Sequence, residues 1–475
     1  MMKNLLSVLC IALAVLMTMP IVACGKSNSS GTGNSLFTGE LESERGAVIK
    51  VMDSGVAIER GITKDLIAAF NEKYAGYGIS AVDANMDSTD LAQDGPYGYG
   101  PDVLFGANDK LMPYAANKHI LPLPANSLKC YKAIDENAWA AYEQSVDGVE
   151  YTFGIPVLIQ APVLYYNKSV LPENWQNEWD DDKDGTPDMV QYMNDLYAFS
   201  LQRKESSGGK QFGIMCSYVG AYNIVGFLYT YGGYTFGANN TDPSDIGHSA
   251  GSAEKGAYIL RQLAAVMDER CVDASLGLVA YDNLGDGTFF AAISTPDVYS
   301  LFIDSLMSHG MSRQEAEANL GVASIPALPV SGNLTDASQG YLESKTMGGI
   351  NGWAISSYTK YPNTCLAFIE FAAEYETVKK RCEVLGSVSA RTDIAVDMGG
   401  LSMIVNDNLE KGNIIVQPSI KAVEQIWTPL SSLFTDIAKD PYRGVSEQKY
   451  TTLPKLKSAL ENCDQQIYNA IFTLS

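Results

Sequence analysis

The sequence predicts an α/β protein of two lobes, and three observations carry that expectation. At 475 residues the chain exceeds what one ordinary hydrophobic core supports. Its short apolar runs alternate with amphipathic helical stretches, as strands covered by helices do. The stretch Gly100–Leu123, GPDVLFGANDKLMPYAANKHILPL, ends an apolar run on charged residues. A loop at the carboxyl end of a buried strand is where open α/β sheets hold ligands. Asp109 and Lys110 stand there, able to accept and donate charge-assisted hydrogen bonds. An ordinary strand, loop and helix with two solvated charges is the competing reading.

Residues 1–23 read as a secretory signal: Lys3, then the apolar run Leu5–Met19, then small residues. That apolar core is too short for a stable membrane span. Ile21-Val22-Ala23-Cys24 resembles the bacterial lipobox, in which the cysteine is lipidated and becomes the new N-terminus. A plain signal with a chance cysteine is the alternative. Residues 24–45 are then the lipidated Cys24 and a flexible tether, Gly25–Ser35 being rich in Ser, Gly and Asn.

A hydrophobic content of 46% and a mean hydropathy of -0.04 suit a soluble globular body. The formal net charge of -22, from 55 acidic and 33 basic residues, argues against a nucleic-acid or anionic-membrane surface. Of eight cysteines, Cys10 leaves with the signal and Cys24 takes lipid. Cys130, Cys216, Cys271, Cys365, Cys382 and Cys463 form no CxxC pair, which speaks against a zinc or redox site. Buried free thiols are the default, and the sequence leaves any pairing open.

Ala47–Met52 reads as a first strand, with Asp53-Ser54-Gly55 as the loop at its end. Thr63–Tyr74 carries Leu66, Ile67 and Phe70 on one helical face. Gly78–Val82 is a second strand and Asp102–Phe105 a third. Gly106–Asp109 is a loop, and Leu111–Ala116 a short helix. Phe153–Val157 and Val163–Tyr166 are strands with Gln160 between them.

Asp180–Gln191, DDDKDGTPDMVQ, has the spacing of an EF-hand-type calcium loop. Asp180, Asp182, Asp184 and Asp188 supply carboxylates, Thr186 a carbonyl, and Gly185 the sharp turn. Gln191 stands where such loops carry a bidentate Glu, so it offers one neutral oxygen. The reading is a structural calcium ion and no catalytic cofactor. A solvated acidic loop is the alternative.

Gly213–Met215 is strand-like and leads into the aromatic stretch Tyr218–Phe236. Gly247-His248-Ser249-Ala250-Gly251 matches the GxSxG pattern of serine hydrolases. The preceding Asn239–Ile246 reads as a polar loop containing Pro, unsuited to the buried strand that a nucleophile elbow needs. The pattern instead introduces the helix Ala253–Met267. Phe289–Ile293, Val322–Ile325 and Gly352–Ser356 are strand-like, and Asn363 is a candidate cap for a helix through Phe371. Gly386–Arg391 is a turn-rich crossing, and Ile420–Ala438 and Leu453–Ile471 are helical.

Seven of these blocks in order resemble the extracellular solute-binding proteins of the maltose-binding family. They are GPDVLFGANDKLMPYAANKHILPL, LYYNKSVLP (Leu164–Pro172), YGGYTF (Tyr231–Phe236), DIGHSAGSAEKGAYILRQL (Asp245–Leu263), GVASIPALP (Gly321–Pro329), GINGWAISS (Gly349–Ser357) and CLAFIEF (Cys365–Phe371). The resemblance implies a two-lobed periplasmic-binding-protein-like fold of type II, with a ligand cleft between the lobes. Lobe one would span 46–158 and 350–398, and lobe two 162–345 and 403–475. It implies a non-enzymatic, monomeric lipoprotein that captures malto-oligosaccharide for the permease subunits of an ABC importer, held to the membrane by lipid only.

Carried over by that resemblance, the ligand-binding residues are Asp53, Ser54, Asp109, Lys110, Gln160, Tyr222, Tyr299 and Trp427. Gln160 stands where the maltose binder has a Glu. Asp297 replaces an expected Trp, and Tyr299 two residues on is its substitute. Gly106 replaces another aromatic. Such a set suits a sugar, whose hydroxyls need donors and acceptors and whose ring face needs a flat aromatic. A binder for another oligosaccharide, and a secreted hydrolase using Ser249, are the alternative readings.

Overall fold

The computed structural model describes residues 36–473, apart from 87, 88, 147 and 273–277. Cys24, the signal and most of the tether lie outside the described residues. Two sheets organise the chain. The first runs in the order Val388–Ser389, Ile155–Gln160, Thr346–Ile355, Val103–Ala107, Val48–Met52, Ser80–Asp83, and Ile414–Val416 pairs with Thr346–Ile355 off this path. Val48–Met52 lies parallel to both neighbours, whereas Thr346–Ile355 runs antiparallel to Val103–Ala107 and Ile155–Gln160. The second sheet is ordered Leu320–Ala323, Val163–Asn167, Phe289–Ser294, Phe212–Met215.

Covering helices explain why the central strands read as unbroken apolar runs. All six residues of Phe289–Ser294 are buried, as are the first five of Ile155–Gln160. Two apolar cores result. One is built around Val51, Leu104, Ile159, Trp353 and Phe368. The other gathers Ile214, Leu228, Leu260, Ile293 and Phe434. The chain passes between the sheets at Gln160–Val163, so a two-residue link joins the lobes there.

Several sequence expectations are corrected. The helix expected over Leu111–Ala116 begins at Asn108, so Asp109 and Lys110 lie in its first turn and not in a loop. Pro113, which sequence rules place near a helix start, is the sixth residue of this helix. The expected strand Gly352–Ser356 is the end of a ten-residue strand, Thr346–Ile355, whose glycines weakened the β signal. Ile420–Ala438 divides into a 3-10 turn, Lys421–Gln425, and a helix, Trp427–Lys439.

Asn363 is not the cap of its helix, because Pro362–Ala372 already contains it. The carboxylate of Glu44 does that work. It accepts from the main-chain N–H groups of Asn363 (3.0 Å) and Thr364 (2.7 Å) and from the side chains of both. A carboxylate on the orphan N–H groups of a helix start satisfies them and meets the helix dipole.

Among the described residues Cys130, Cys216, Cys365, Cys382 and Cys463 are free and buried. Burial pushes the Cys130 thiol up to about 11 and that of Cys216 to about 12, so neither is a reactive thiolate at neutral pH. Among the same residues no helix is long and apolar enough to cross a membrane.

Candidate functional site

The helix Asn108–Ala116 starts directly at the end of the Val103–Ala107 strand. Its first residue, Asn108, is fully buried and works as a joint. Its Nδ2 donates to the Gln417 carbonyl (3.1 Å) and to Ser419 Oγ (2.7 Å), while its Oδ1 accepts from Ile350 N (3.1 Å). This fixes the strand end against the segment that leads to Trp427. Tyr142, also buried, places its hydroxyl 3.0 Å from the Gly106 carbonyl and 2.9 Å from that of Ile350.

Asp109 projects from this joint with 11% of its side chain exposed. Burial pushes its carboxyl above the ordinary value, and the nearby positive charge of Lys110 offsets only part of that. Lys110 Nζ lies 3.3 Å from Glu424 Oε1, so the first turn of this helix meets the 3-10 turn before Trp427. At 61% and 48% side-chain exposure this pair adds about 0.2–1 kcal/mol at most and exchanges readily with other partners.

Tyr222 stands on the second lobe's side. Its hydroxyl donates to the Gln160 carbonyl at 2.8 Å, and burial pushes the phenol well above its usual range. The negative charges of Asp109 and Asp297 add to that upward shift. The rings of Tyr222 and Trp427 lie 6.3 Å apart with a 51° tilt. A Cβ on Gly349 would sit 3.1 Å from Gln417 Nε2 and 3.5 Å from the Tyr222 hydroxyl. A Cβ at position 349 would therefore meet the Tyr222 hydroxyl at ordinary contact distance and would ask only the flexible Gln417 amide to give by a few tenths of an ångström. Beside this group lies a cavity of about 740 Å³ lined by Phe105, Asp109, Lys110, Tyr114, Lys421 and Glu424. That volume is in the range of small-ligand sites.

The structure thus brings Asp109, Lys110, Gln160, Tyr222 and Trp427 to one junction, and leaves three expected residues elsewhere. Asp53 is fully buried and engaged. Arg381 grips it bidentately at 2.6 and 2.9 Å, Thr63 Oγ1 donates at 3.0 Å and Ser54 N at 2.7 Å. No lone pair remains turned toward a ligand, so Asp53 supports the wall of the site. The same Arg381 guanidinium lies 4.0 Å over the Phe105 ring. Ser54 precedes the short helix Gly55–Glu59 and makes no side-chain capping bond. Tyr299 lines a different cavity, of about 750 Å³, with Arg60, Lys168, Arg313 and Glu317. Its Cβ faces Gly386.

Sequence reasoning missed Asn108, Glu424, Gln417 and Arg381. Asn108 adjoins Asp109 and Glu424 lies three residues before Trp427, so proximity to chosen residues was the available signal. Nothing local marks Arg381, whose partner is 328 positions away.

The GxSxG segment also differs from expectation. A strand, Asp242–Gly247, does precede Ser249, but it forms a two-stranded hairpin with Tyr234–Phe236 whose residues before Gly247 are not buried. His248 is buried, with Nδ1 2.9 Å from Asp464 Oδ1, and Asp464 Oδ2 accepts from Ser249 N at 2.8 Å. The Lys457 ammonium donates to the Ser249 carbonyl. These bonds pin a turn at the start of the helix Ala253–Val266 to the C-terminal helix, which is a structural arrangement.

At the acidic loop, Asp180, Asp182 and Asp184 bring carboxylate oxygens within 4.8 Å of one another. Gln191 Nε2 lies 3.3 Å from both Asp184 Oδ2 and the Thr186 carbonyl. Asp188 Oδ2 accepts from Asp181 N at 2.9 Å.

Comparison with known proteins adds to this geometry. A family model described as bacterial extracellular solute-binding protein matches residues 65–399. The chain is 27% identical over 357 residues to the maltodextrin-binding protein MdxE of Bacillus subtilis (strain 168), covering 73% of this chain and 75% of that protein. It is 23% identical over 463 residues to a galactooligosaccharide-binding protein of the same organism, covering 94% and 96%. A maltooligosaccharide ABC transporter solute-binding lipoprotein of Streptococcus pneumoniae serotype 4 is 22% identical over 434 residues, covering 89% and 90%. Among solved structures, that of MalX from Streptococcus pneumoniae in complex with maltopentaose superposes with a TM-score of 0.66 at 19% identity, covering 89% of this chain and 100% of that one. This last likeness establishes the two-lobed fold.

Proposed function

The chain belongs to the bacterial extracellular solute-binding proteins, and from that premise we propose that it captures malto-oligosaccharides and hands them to an ABC importer. The observation that carries the reading is the meeting of the Asp109–Lys110 helix start with the segment Ser419–Trp427, where Trp427 faces Tyr222, beside a cavity of about 740 Å³. The maltodextrin and maltooligosaccharide for which MdxE and the pneumococcal lipoprotein are named support the choice of sugar.

The chemistry follows from the residues. Asp109 accepts hydroxyl hydrogen bonds in a largely desolvated position, where such bonds are strong. Lys110 donates, exchanging its exposed partner Glu424 for a sugar oxygen. Trp427 offers a flat apolar face to the C–H side of a pyranose, and Tyr222 closes the corner. Because donor and acceptor sit on one lobe and the ring on the other, a bound sugar bridges both and favours hinge closure. Ser249 takes no part, and the protein performs no catalysis. Cys24 anchors it to the outer face of the membrane, where a monomer docks on the permease subunits.

Calorimetric titration with maltotriose and longer maltodextrins tests the reading, with a galactooligosaccharide as the comparison. Maltodextrin binding with no response to the galactooligosaccharide is the expected result. The relative named for galactooligosaccharide matches 94% of the chain and supports the second reading, a site for another oligosaccharide. Binding of that sugar alone would transfer the function to it.

A further inference from the structure

The loop before the second lobe's first long helix offers a site that the sugar cleft does not use. Asp180, Asp182 and Asp184 converge, with ligand oxygens within 4.8 Å of one another. Acidic clusters are common without an ion, so convergence alone decides nothing. The deciding observation is Asp180, only 5% exposed, whose Oδ1 is buried and has no hydrogen-bond partner. A buried carboxylate oxygen left unpartnered is costly, and a cation is the partner that three converging carboxylates would share. The concentration of negative charge reaches further. Burial, and after it the charges of Asp188 and Asp181, push the Asp195 carboxyl up to about 6.

We propose that residues 180–191 bind one calcium ion through Asp180, Asp182, Asp184, the Thr186 carbonyl and Gln191. All the donors are oxygens, one a main-chain carbonyl and one an amide, which is the chemistry of calcium and not of zinc or copper. Gly185 takes the left-handed turn at φ +83° with open space around it, so the chain can reverse between the fifth and seventh positions. Gln191 already reaches Asp184 and the Thr186 carbonyl. Its amide nitrogen and oxygen are distinguished only by their surroundings, and a cation there turns the oxygen inward. Asp188, with one oxygen engaged by Asp181 N, acts through water, as the ninth position of such loops often does.

The loop is wired to the rest of the lobe. The Gln191 carbonyl accepts from Ala327 N at 2.8 Å, and Met193 N donates to the Ala327 carbonyl at 3.0 Å. The rings of Tyr192 and Tyr341 lie 4.5 Å apart. The segment 327–345 then feeds the crossing strand at Thr346. A cation at this loop therefore steadies the segment that enters the junction of the lobes. With a neutral amide at the twelfth position, the expected Kd is about 0.1–1 mM, in the range of extracellular calcium modules.

The test uses protein freed of calcium with EDTA, then titrated with calcium while Tm is followed. Terbium is the second probe, because Trp179 immediately precedes the loop and can sensitise its emission. Wild type should gain several degrees in Tm and show terbium emission that calcium displaces. Asp182→Asn, at an exposed position, should fold normally and lose both responses. Trp179→Phe should lose the emission and keep the Tm response. Gln191→Glu should tighten calcium at least about tenfold by restoring a bidentate ligand. The proposal is overturned by any of three results: no Tm response up to about 5 mM calcium, equal responses in wild type and Asp182→Asn, or no tightening in Gln191→Glu.

Discussion

Removing the Asp53 carboxylate separates a wall residue from a ligand residue. In the structure Asp53 is fully buried and the Arg381 side chain is 3% exposed, with two charge-assisted bonds at 2.6 and 2.9 Å between them. Asp53→Ala leaves the guanidinium buried beneath Phe105 with no counter-charge. Breaking one side of such a pair costs about 3–5 kcal/mol. At roughly 2–4 °C per kcal/mol for domains of this size, Tm should fall by about 6–20 °C. Arg381→Ala should cost a similar amount, because it strands the carboxylate instead.

The double variant should cost clearly less than the two single losses combined, since neither stranded charge remains. Urea unfolding followed by tryptophan fluorescence reads the stabilities. Sugar titration well below the lowered Tm reads function, and there Asp53→Ala should bind within about threefold of wild type. A stability loss under about 1 kcal/mol would show that the pair is not the support described. A tenfold loss of sugar affinity at unchanged stability would make Asp53 a ligand contact after all.

Asp109→Asn should act in the opposite sense. Burial raises the folded carboxyl above its unfolded value of about 3.9, so the folded state holds that proton more tightly. Stability therefore falls as pH rises from about 4 through the folded value. The Asn variant should lack this decline, keep or raise Tm at pH 7, and bind maltodextrin about 10- to 100-fold more weakly. A lowered Tm with unchanged affinity would contradict both halves. Trp427→Ala should weaken maltodextrin binding about 10- to 100-fold while the circular dichroism spectrum stays that of wild type; equal binding would remove it from the site. Cys24→Ala should abolish incorporation of labelled palmitate in cells, and retained label would refute the lipobox.

What the sequence made legible was what periodicity and order encode. Alternating strands and helices were readable because the central strands are buried on both faces. Leu104 and Ile293 could be placed by apolar runs alone, whereas Val51 lies on a strand that alternates exposed and buried residues around Lys50. Boundaries failed where a distant partner decides them. The Asn108–Ala116 helix starts early because Asn108 bonds to Gln417, Ser419 and Ile350, none of which a local pattern reveals. Glu44 caps a helix 319 residues away, so the local candidate Asn363 was the wrong choice for a reason invisible at short range. Asp53 was expected as a ligand residue because the family resemblance places the first-strand loop against sugar. Its role is set by Arg381, on the helix Tyr375–Leu385, 328 positions along the chain.

The same long-range bonds explain why the candidate site lies where it does. Asn108 binds the crossing strand at Ile350 and the Trp427 segment at Gln417 and Ser419. Tyr222 binds the other crossing at the Gln160 carbonyl, directly opposite Gly349 in the paired strand. Residues offered to a ligand are thus fastened to the strands that pass between the lobes. On the proposed reading, a sugar spanning Asp109 and Trp427 would pull on those strands, whereas one touching a single lobe would not. Discrimination then rests on reach as much as on local contacts. A ligand too short to bridge the junction would lose the Trp427 face entirely and could shift the lobes only by its difference in affinity for the two arrangements.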